Sequence, residues 1–438
     1  MCLAIPSKVL KIEDNRAIVK SDNHTHKADL SIVKNVKIGD YLLVHGDMAL
    51  NKIPKKDALK ILNFLENRSS HGNSVSNFGL KSNLTREKVI YWLKSEGKEK
   101  EALFSEANTI RQEALKEFIC IHGIIEFSNY CKNNCLYCGL RKENDRLKRC
   151  RMKPEEIVKT AGKAVKDKGY KLLVLQSGED YFYTDEMLAD VVRKIKEKYR
   201  VFIFVSVGER GYECYKKLKE AGVSGVLFRF ETSNPKLFKK LHPSKSEGAR
   251  SKIGPCGASK NLENRLEHLR FMRDLGYFIS TGSLIGLPDQ TIEDLADDIL
   301  MIKKWANMVS MGPFIPTAGT PLEKFQIQNS KPVCNSQQKI DLNLKMIAIL
   351  RLMMPQARIP VVTALETLGG GEDIRKKALE SGANSLMFNL TPAKYRPLYK
   401  IYGKKFYQKE NFWEKYGLFK YEESYKMLEE RMRRELEK

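Results

Sequence analysis

The sequence predicts an α/β protein: a (β/α)8 barrel preceded by a small N-terminal β-barrel. Three observations carry this. From about Phe118 apolar runs and helical stretches alternate eight times, whereas residues 1 to about 50 hold only short β-like runs broken by turn pairs. Between these parts lies NRSSHGNSVSNFGLKSN, rich in Ser, Asn and Gly and without periodicity. A doubly wound open sheet is the competing arrangement for the larger part. The boundaries read from this pattern are a small barrel with a helix over 1–66, a linker over 67–83, and a barrel with a charged helical tail over 84–438.

In the first part KVLKI, RAIVKS, ADLSIV and YLLVHG are the strands, divided by Asp-Asn, Asn-His and Gly-Asp, and an amphipathic helix follows near Lys55 to Asn67. Asn83 and Thr85 open a helical region. The eight barrel strands are FICIHGIIEF, KLLVLQSG, VFIFVSVG, GVLFRFE, YFISTGSLIG, NMVSMGPFI, RIPVVTAL and NSLMFNL. In TIEDLADDILMIKKW, Ile292, Leu295, Ala296 and Ile299 mark one helical face, and Thr291 with Asp294 has capping-box spacing. A barrel places its chemistry where strands end and loops begin. Those ends carry Ser128 and a cysteine cluster, Ser177-Gly178-Glu179, Gly208-Glu209-Arg210, Arg229 with Glu231-Thr232, Gly286-Leu287-Pro288, Gly312-Pro313, Thr363 and Asn389.

Composition sets the context. The chain has 438 residues, 42% hydrophobic and 30% charged, and no stretch with the length and apolarity of a signal peptide or membrane span. A soluble cytoplasmic protein without a membrane partner is expected. Nine cysteines, an odd number unevenly spread, argue for reduced thiols rather than a disulfide framework. The net charge of +23 reads as solvated helical faces, because lysines and glutamates interleave in runs such as KKLKEAG. A small β-barrel on a basic enzyme also suits an RNA-binding module. Tyr41 is the one aromatic residue in the first 50, which leaves no stacking platform, so no nucleic-acid partner is expected.

In NYCKNNCLYCGLR, Cys131, Cys135 and Cys138 fall within eight residues. A structural zinc site wants four ligands in paired knuckles, and no fourth cysteine stands at such a spacing. A 4Fe-4S cube held by three thiolates leaves one iron open to a substrate or cofactor. The CxxxCxxC spacing, with Tyr137 before the last cysteine, resembles the signature of the radical SAM superfamily, in which S-adenosylmethionine (SAM) chelates that iron.

Other motifs resemble the same superfamily and imply SAM contacts. Gly178-Glu179 resembles its glycine-glutamate motif, a backbone that approaches the methionine moiety beside an acceptor for its ammonium. Arg229 is then the partner of the SAM carboxylate, Glu209 the acceptor for the ribose hydroxyls, and Gly286 the backbone against which adenine lies. From Leu84 to about Lys405 the runs IIEFSNYCKNNCLYCGLR, LKRCRMKPEEIV, GSLIGLPDQTIEDL, GPFIPTAGTPL and TPAKYRPLY resemble the HydE family of iron-iron hydrogenase maturases, itself similar to biotin synthase and methylornithine synthase.

The resemblance implies a 4Fe-4S cluster, SAM and a 5′-deoxyadenosyl radical acting on a cysteine-bound iron carbonyl cyanide species. The implied partners are a small organometallic or amino-acid-derived substrate and other hydrogenase maturation proteins. Thr363 and Tyr395 are the substrate-cavity candidates. His122-Gly123, Arg210 and Val362-Thr363 depart from the usual HydE residues, and Ser244 to Lys260 resembles an insertion. No cysteine follows Cys334, so a single cluster is expected. Another enzyme of the biotin synthase and methylornithine synthase group, or a non-catalytic carrier of iron fragments, are the alternatives.

MCLAIPSKV and GDYLLVH resemble the HypC/HupF chaperones of nickel-iron hydrogenase maturation. The resemblance implies Cys2, freed by removal of Met1, and His45 as ligands of an iron fragment. Fusion raises the local concentration of one domain for the other. A flexible linker of about 17 residues spans roughly 20 to 25 Å, which predicts that Cys2 and His45 reach the open end of the barrel.

Overall fold

The structure, a computed structural model, describes residues 5–21, 24–31, 33–45, 48–59, 62, 84–115, 119–243, 260–323, 335–403 and 405. Cys2, the expected linker over 67–83, residues 244–259 of the expected insertion and the charged tail lie outside them. Of the expected helix near Lys55, residues 55–59 and 62 are described and helical.

β1 (Ile5–Glu13), β2 (Arg16–Ser21), β3 (His24–Asp29), β4 (Tyr41–His45) and β5 (Met48–Ile53) close a small barrel in the order β1-β2-β3-β5-β4. Alternate residues fill it, among them Val9, Ala17, Val19, Ala28, Leu42, Val44 and Ala49. The third strand was expected in ADLSIV and lies earlier, in HTHKAD; the fifth, MALNKI, was not expected. Polar residues interrupt the apolar alternation in both, so neither run stands out by period.

The larger part is a cylinder. β6 (Cys120–Ser128), β7 (Leu172–Ser177), β8 (Phe202–Ser206), β9 (Gly225–Leu227), β10 (Phe278–Thr281), β12 (Met308–Val309), β14 (Pro360–Val361) and β15 (Ser385–Asn389) form one parallel sheet, ordered β12-β10-β9-β8-β7-β6-β15-β14. β11 (Leu284–Ile285) and β13 (Gly312–Pro313) pair with each other and continue β10 and β12 beyond a break. The sheet ends meet through the Met308–Arg358 bridge, where the Val309 amide donates to the Arg358 carbonyl at 2.8 Å, so the sheet closes rather than staying open. All eight expected runs supply a strand.

The filling of the cylinder positions the site. Its lower interior is packed by Leu172, Val174, Phe202, Phe204, Phe278 and Met308. Gly225 is required there, because a Cβ would come within 2.5 Å of the Phe204 ring. Space therefore remains only toward the C-terminal ends of the strands. Outside, helices such as Pro154–Lys168 and Asp185–Lys198 cover the strands with Ile157, Ala161, Leu188 and Val192. The helix Ser336–Met353 is buried on nearly every side, because helices Arg86–Lys94 and Gly97–Leu115 pack over it.

The small barrel docks on the opposite end from that space. Met48, 2% exposed, joins Leu172, Phe202, Phe278 and Met308 in the barrel floor, and Arg358 donates to its sulfur at 3.6 Å. Arg16 donates to the Gly276 carbonyl at 3.0 Å and lies over the Phe278 ring. His45 pairs in register with Met48, which corrects the expectation that it reaches the open mouth. An apolar side chain inserted into the floor decides the orientation, and linker length carried no information about it.

Candidate active site

The chain from Asn129 to Cys150 has little regular structure, and side chains hold its backbone. Arg149 donates to the carbonyls of Asn129 at 2.7 Å, Leu140 at 3.0 Å and Arg141 at 2.6 Å, and Asn144 donates to Gly139 at 2.8 Å. With its carbonyls paired in this way, an irregular loop keeps one shape. Gly139 donates to the Ile401 carbonyl at 2.9 Å, and a Cβ there would meet the Lys400 carbonyl at 2.1 Å. The C-terminal segment is thereby locked to the loop.

This loop brings Cys131, Cys135 and Cys138 to one wall of a cavity of about 280 Å³ at the C-terminal mouth of the barrel. Among the described residues no three His, Cys, Asp or Glu side chains converge on a single ion. A cube asks for something different, since each thiolate binds its own iron. Burial pushes the Cys131 thiol up to about 11 and also raises Cys135 and Cys138. A coordinated metal reverses that sign by deprotonating the thiol outright.

Charged pairs surround the thiols. Glu179 is nearly buried and contacts Lys260 at 3.2 Å and Lys132 at 3.5 Å. Burial works against its carboxylate, but Lys260, Lys132 and Arg265 together hold it well below the usual carboxylate range. Glu179 Oε2 makes no hydrogen bond and has only the Lys132 ammonium 3.5 Å away, which leaves a buried acceptor with capacity at the cavity. Gly208, at φ 78°, makes room for this side chain, because a Cβ there would lie 1.9 Å from Glu179 Cγ. Arg229 Nε donates to Glu231 Oε2 at 3.0 Å, and Arg265 contacts Glu209 at 2.8 Å. Glu231 adopts φ 69°, a left-handed conformation costly for a residue with a side chain and common at binding sites. A buried carboxylate with hydrogen-bonding capacity to spare, glycines admitting close approach and buried arginines fit the ammonium, backbone and carboxylate of SAM.

The structure brings together Cys131, Cys135, Cys138, Tyr137, Gly178, Glu179, Arg229 and Thr363 around this cavity. Tyr137 is held by a 3.0 Å hydrogen bond between its hydroxyl and His242 Nε2. Glu209 stands next to the lining residue Gly208 and is engaged by Arg265. Besides Glu209, two further expected residues lie outside the lining. Gly286 is covered by Lys339, whose Cγ would be 2.7 Å from an added Cβ, and its amide donates to Gln290 at 2.8 Å. Tyr395 faces Glu156, to which its hydroxyl donates at 2.8 Å. Each is turned away by a partner distant in sequence or on another element. Arg210 likewise braces a loop, donating to the Asp180 carbonyl at 3.1 Å.

Sequence reading assigned no role to Glu126, Glu231, Lys260, Arg265, Tyr402 or Lys405, all of which line the cavity. Glu126 carries a usable signal, since residues 124 and 126 both face inward on β6. Lys260 and Lys405 carry none, because they sit on irregular segments.

Three thiolates on the loop after the first strand, with charged groups on the next rim positions, define the class: radical SAM, whose superfamily model matches residues 125–302. It is a SAM-cleaving enzyme with a 4Fe-4S cluster and SAM as cofactors. The chain belongs to the HydE family, being 45% identical over 304 residues to FeFe hydrogenase maturase subunit HydE of Thermotoga maritima, across 69% of this chain and 79% of that protein. The HupF/HypC family model matches residues 1–65. Among solved structures, methylornithine synthase is 27% identical with a TM-score of 0.59, covering 71% of this chain and 84% of that one. HydG of Carboxydothermus hydrogenoformans, at 22% identity, shares the fold, with a TM-score of 0.60 over 80% of this chain and 76% of that one. Among the described residues no helix is long and apolar enough to cross a membrane.

Proposed function

We propose that this hydrogenase maturase acts on a cysteine-bound iron carbonyl cyanide species. The observation that carries this reading is the buried polar pair in its cavity. Glu126 and Lys405, with side chains 2% and 8% exposed, contact each other, and Asn389 donates to Glu126 at 2.6 Å. An ammonium and a carboxylate so placed match the carboxylate and ammonium of a cysteine ligand, and the Lys405 ammonium also suits a cyanide nitrogen. With cofactors bound, reductive SAM cleavage supplies a 5′-deoxyadenosyl radical. The chain's residues orient and shield. Ile124, Leu227 and Met387 form apolar lining that limits water, and Gln176, bonded to the Tyr399 hydroxyl at 3.2 Å, fixes a polar edge.

The test is anaerobic turnover with SAM, reductant and a cysteine-ligated iron carbonyl cyanide complex. Infrared carbonyl and cyanide bands are expected to change in step with 5′-deoxyadenosine formation. Lys405→Ala should abolish the band change while substrate-free SAM cleavage persists. Unchanged bands with the unmodified enzyme would refute this substrate. The likeness to methylornithine synthase favours a second reading, a free amino acid as substrate, checked in the same assay by methylornithine formation.

For the N-terminal domain we propose that Cys2 and His45 hold an iron fragment in exchange with other maturation proteins, a reading supported by the HupF/HypC match. Equal maturation yields from Cys2→Ala, His45→Ala and the unmodified protein would leave the domain a docking module.

A further inference from the structure

Arg141, Arg146, Arg149 and Arg151 follow the three cysteines in sequence, and they differ in what they face. Arg141 contacts Glu143 at 3.3 Å, Arg146 contacts Glu323 at 3.3 Å, and Arg151 is forked onto Asp180 at 2.7 and 3.0 Å. Arg149 contacts no carboxylate among the described residues. Its hydrogen bonds go to the backbone carbonyls of Asn129, Leu140, Arg141, Lys142 and Asn144. Carbonyls satisfy its N–H groups but leave its charge uncancelled.

The same bonds fix where that charge sits. Arg149 Nη1 donates both to Asn129, just before Cys131, and to Leu140, just after Cys138, so the guanidinium closes the cysteine segment at its base. Its Cζ lies 5.9 Å from the centre of the Tyr130 ring. Leu140, Leu147 and Tyr399 are buried here, and Cys131 and Cys138 pack against them. Arg149 itself is half-buried. Burial weakens its hold on its proton, and the ionisable neighbours that act on it are Cys131, Tyr130 and Cys138, with no carboxylate among them.

Reductive SAM cleavage requires one electron, from an external one-electron donor, to enter among three thiolates that already carry negative charge. The potential at which it enters depends on net charge, hydrogen bonding and exposure to solvent. Where apolar side chains exclude water, a fixed cation acts over several ångströms with little screening. It stabilises the more negative, reduced state over the oxidised one. Arg141, Arg146 and Arg151 contribute less, because each is offset by the carboxylate it faces.

We propose that Arg149 is a positioning residue that clasps the cysteine segment and, through its unpaired charge, raises the reduction potential of the cluster held there. This rests on the 4Fe-4S cofactor and is independent of the substrate proposed above. The measurement is a redox titration of full-length, cluster-loaded protein, read by electron paramagnetic resonance of the reduced cluster. SAM is left out, so that cleavage consumes no electrons. Arg149→Gln removes the charge and keeps an amide donor. At a fixed solution potential it should lower the ratio of reduced to oxidised cluster about tenfold, which is about 59 mV for a one-electron couple. Arg149→Lys keeps the charge but loses the fork, and should stay within about twofold of the unmodified protein even where both variants bind less iron. Equal shifts in the two variants, or none in either, would reduce Arg149 to a structural clasp and overturn the proposal. If Arg149→Gln assembles no cluster, Arg149→His decides. Imidazole becomes charged below about pH 6.5, so in that variant the reduced-to-oxidised ratio should rise severalfold between about pH 7.5 and about pH 5.5, beyond any change in the unmodified protein. No such rise, or no cluster in that variant either, overturns the proposal.

Discussion

Gly178 shows how little room the thiolate wall leaves. A Cβ at this position would stand 2.2 Å from the Tyr130 carbonyl and 2.8 Å from Cys131 Cβ, so even alanine must displace the cysteine loop. Gly178 donates its amide to Ser128 at 3.1 Å, which ties the end of β7 to that of β6 just before the loop begins. Reconstituted protein is expected to hold about four irons per chain, the content of one cube. Gly178→Ala should lower iron content and SAM cleavage together. Replacing Cys131, Cys135 and Cys138 by Ala should remove both, and 5′-deoxyadenosine from that triple variant would contradict the thiolate assignment.

The helix Ile292–Trp305 links the site to the outer layer. Its cap, Thr291 with Asp294, forms the expected capping box, and Asp294 also accepts from Asn234 at 2.8 Å. One turn on, Asp298 is fully buried and accepts from both the amide and hydroxyl of Ser233 at 2.6 Å, steadying the turn that follows Glu231. Burial pushes its carboxyl up from 3.8 to about 7, against the Ser233 hydrogen bonds. The folded state therefore keeps a proton that the unfolded chain has released. This group's contribution is full below about pH 4 and is lost as pH rises toward 7. Asp298→Asn cannot titrate. Relative to that variant, the unmodified protein should lose roughly 2 kcal/mol of stability between pH 5 and pH 7. Denaturant midpoints measured at both pH values check the sign, and a gap moving the other way would refute it.

Across the molecule the two ends of the large barrel do different work. The C-terminal mouth holds the thiolates and charged pairs, while the N-terminal end is stoppered by Met48 from the other domain. Truncating a buried methionine typically costs about 2 to 5 kcal/mol, and placing a charge there costs more. Met48→Asp is therefore expected to release the small barrel. Small-angle scattering should then report a larger radius of gyration, while the three-cysteine site continues to cleave SAM without substrate. An unchanged radius would mean that other contacts, such as Arg16 with Gly276, suffice to hold the domains together.

The local features of this protein were legible in its order of residues. Strand runs of the large barrel, the Thr291 cap, the cysteine spacing and the Gly178-Glu179 pair depend on neighbours within a few positions, and period and turn chemistry report such neighbours directly. β3 and β5 were obscured because their polar residues break the alternation. What the tertiary structure decided is which distant groups meet. Lys260 reaches Glu179 across 81 positions and Lys405 reaches Glu126 across 279. Gly286 and Tyr395 turn from the cavity because Lys339 and Glu156 engage them. Met48 carries the N-terminal domain to the barrel floor instead of its mouth. Such outcomes follow from packing and charge pairing between segments that no local pattern relates, and so they emerge only when the chain is folded.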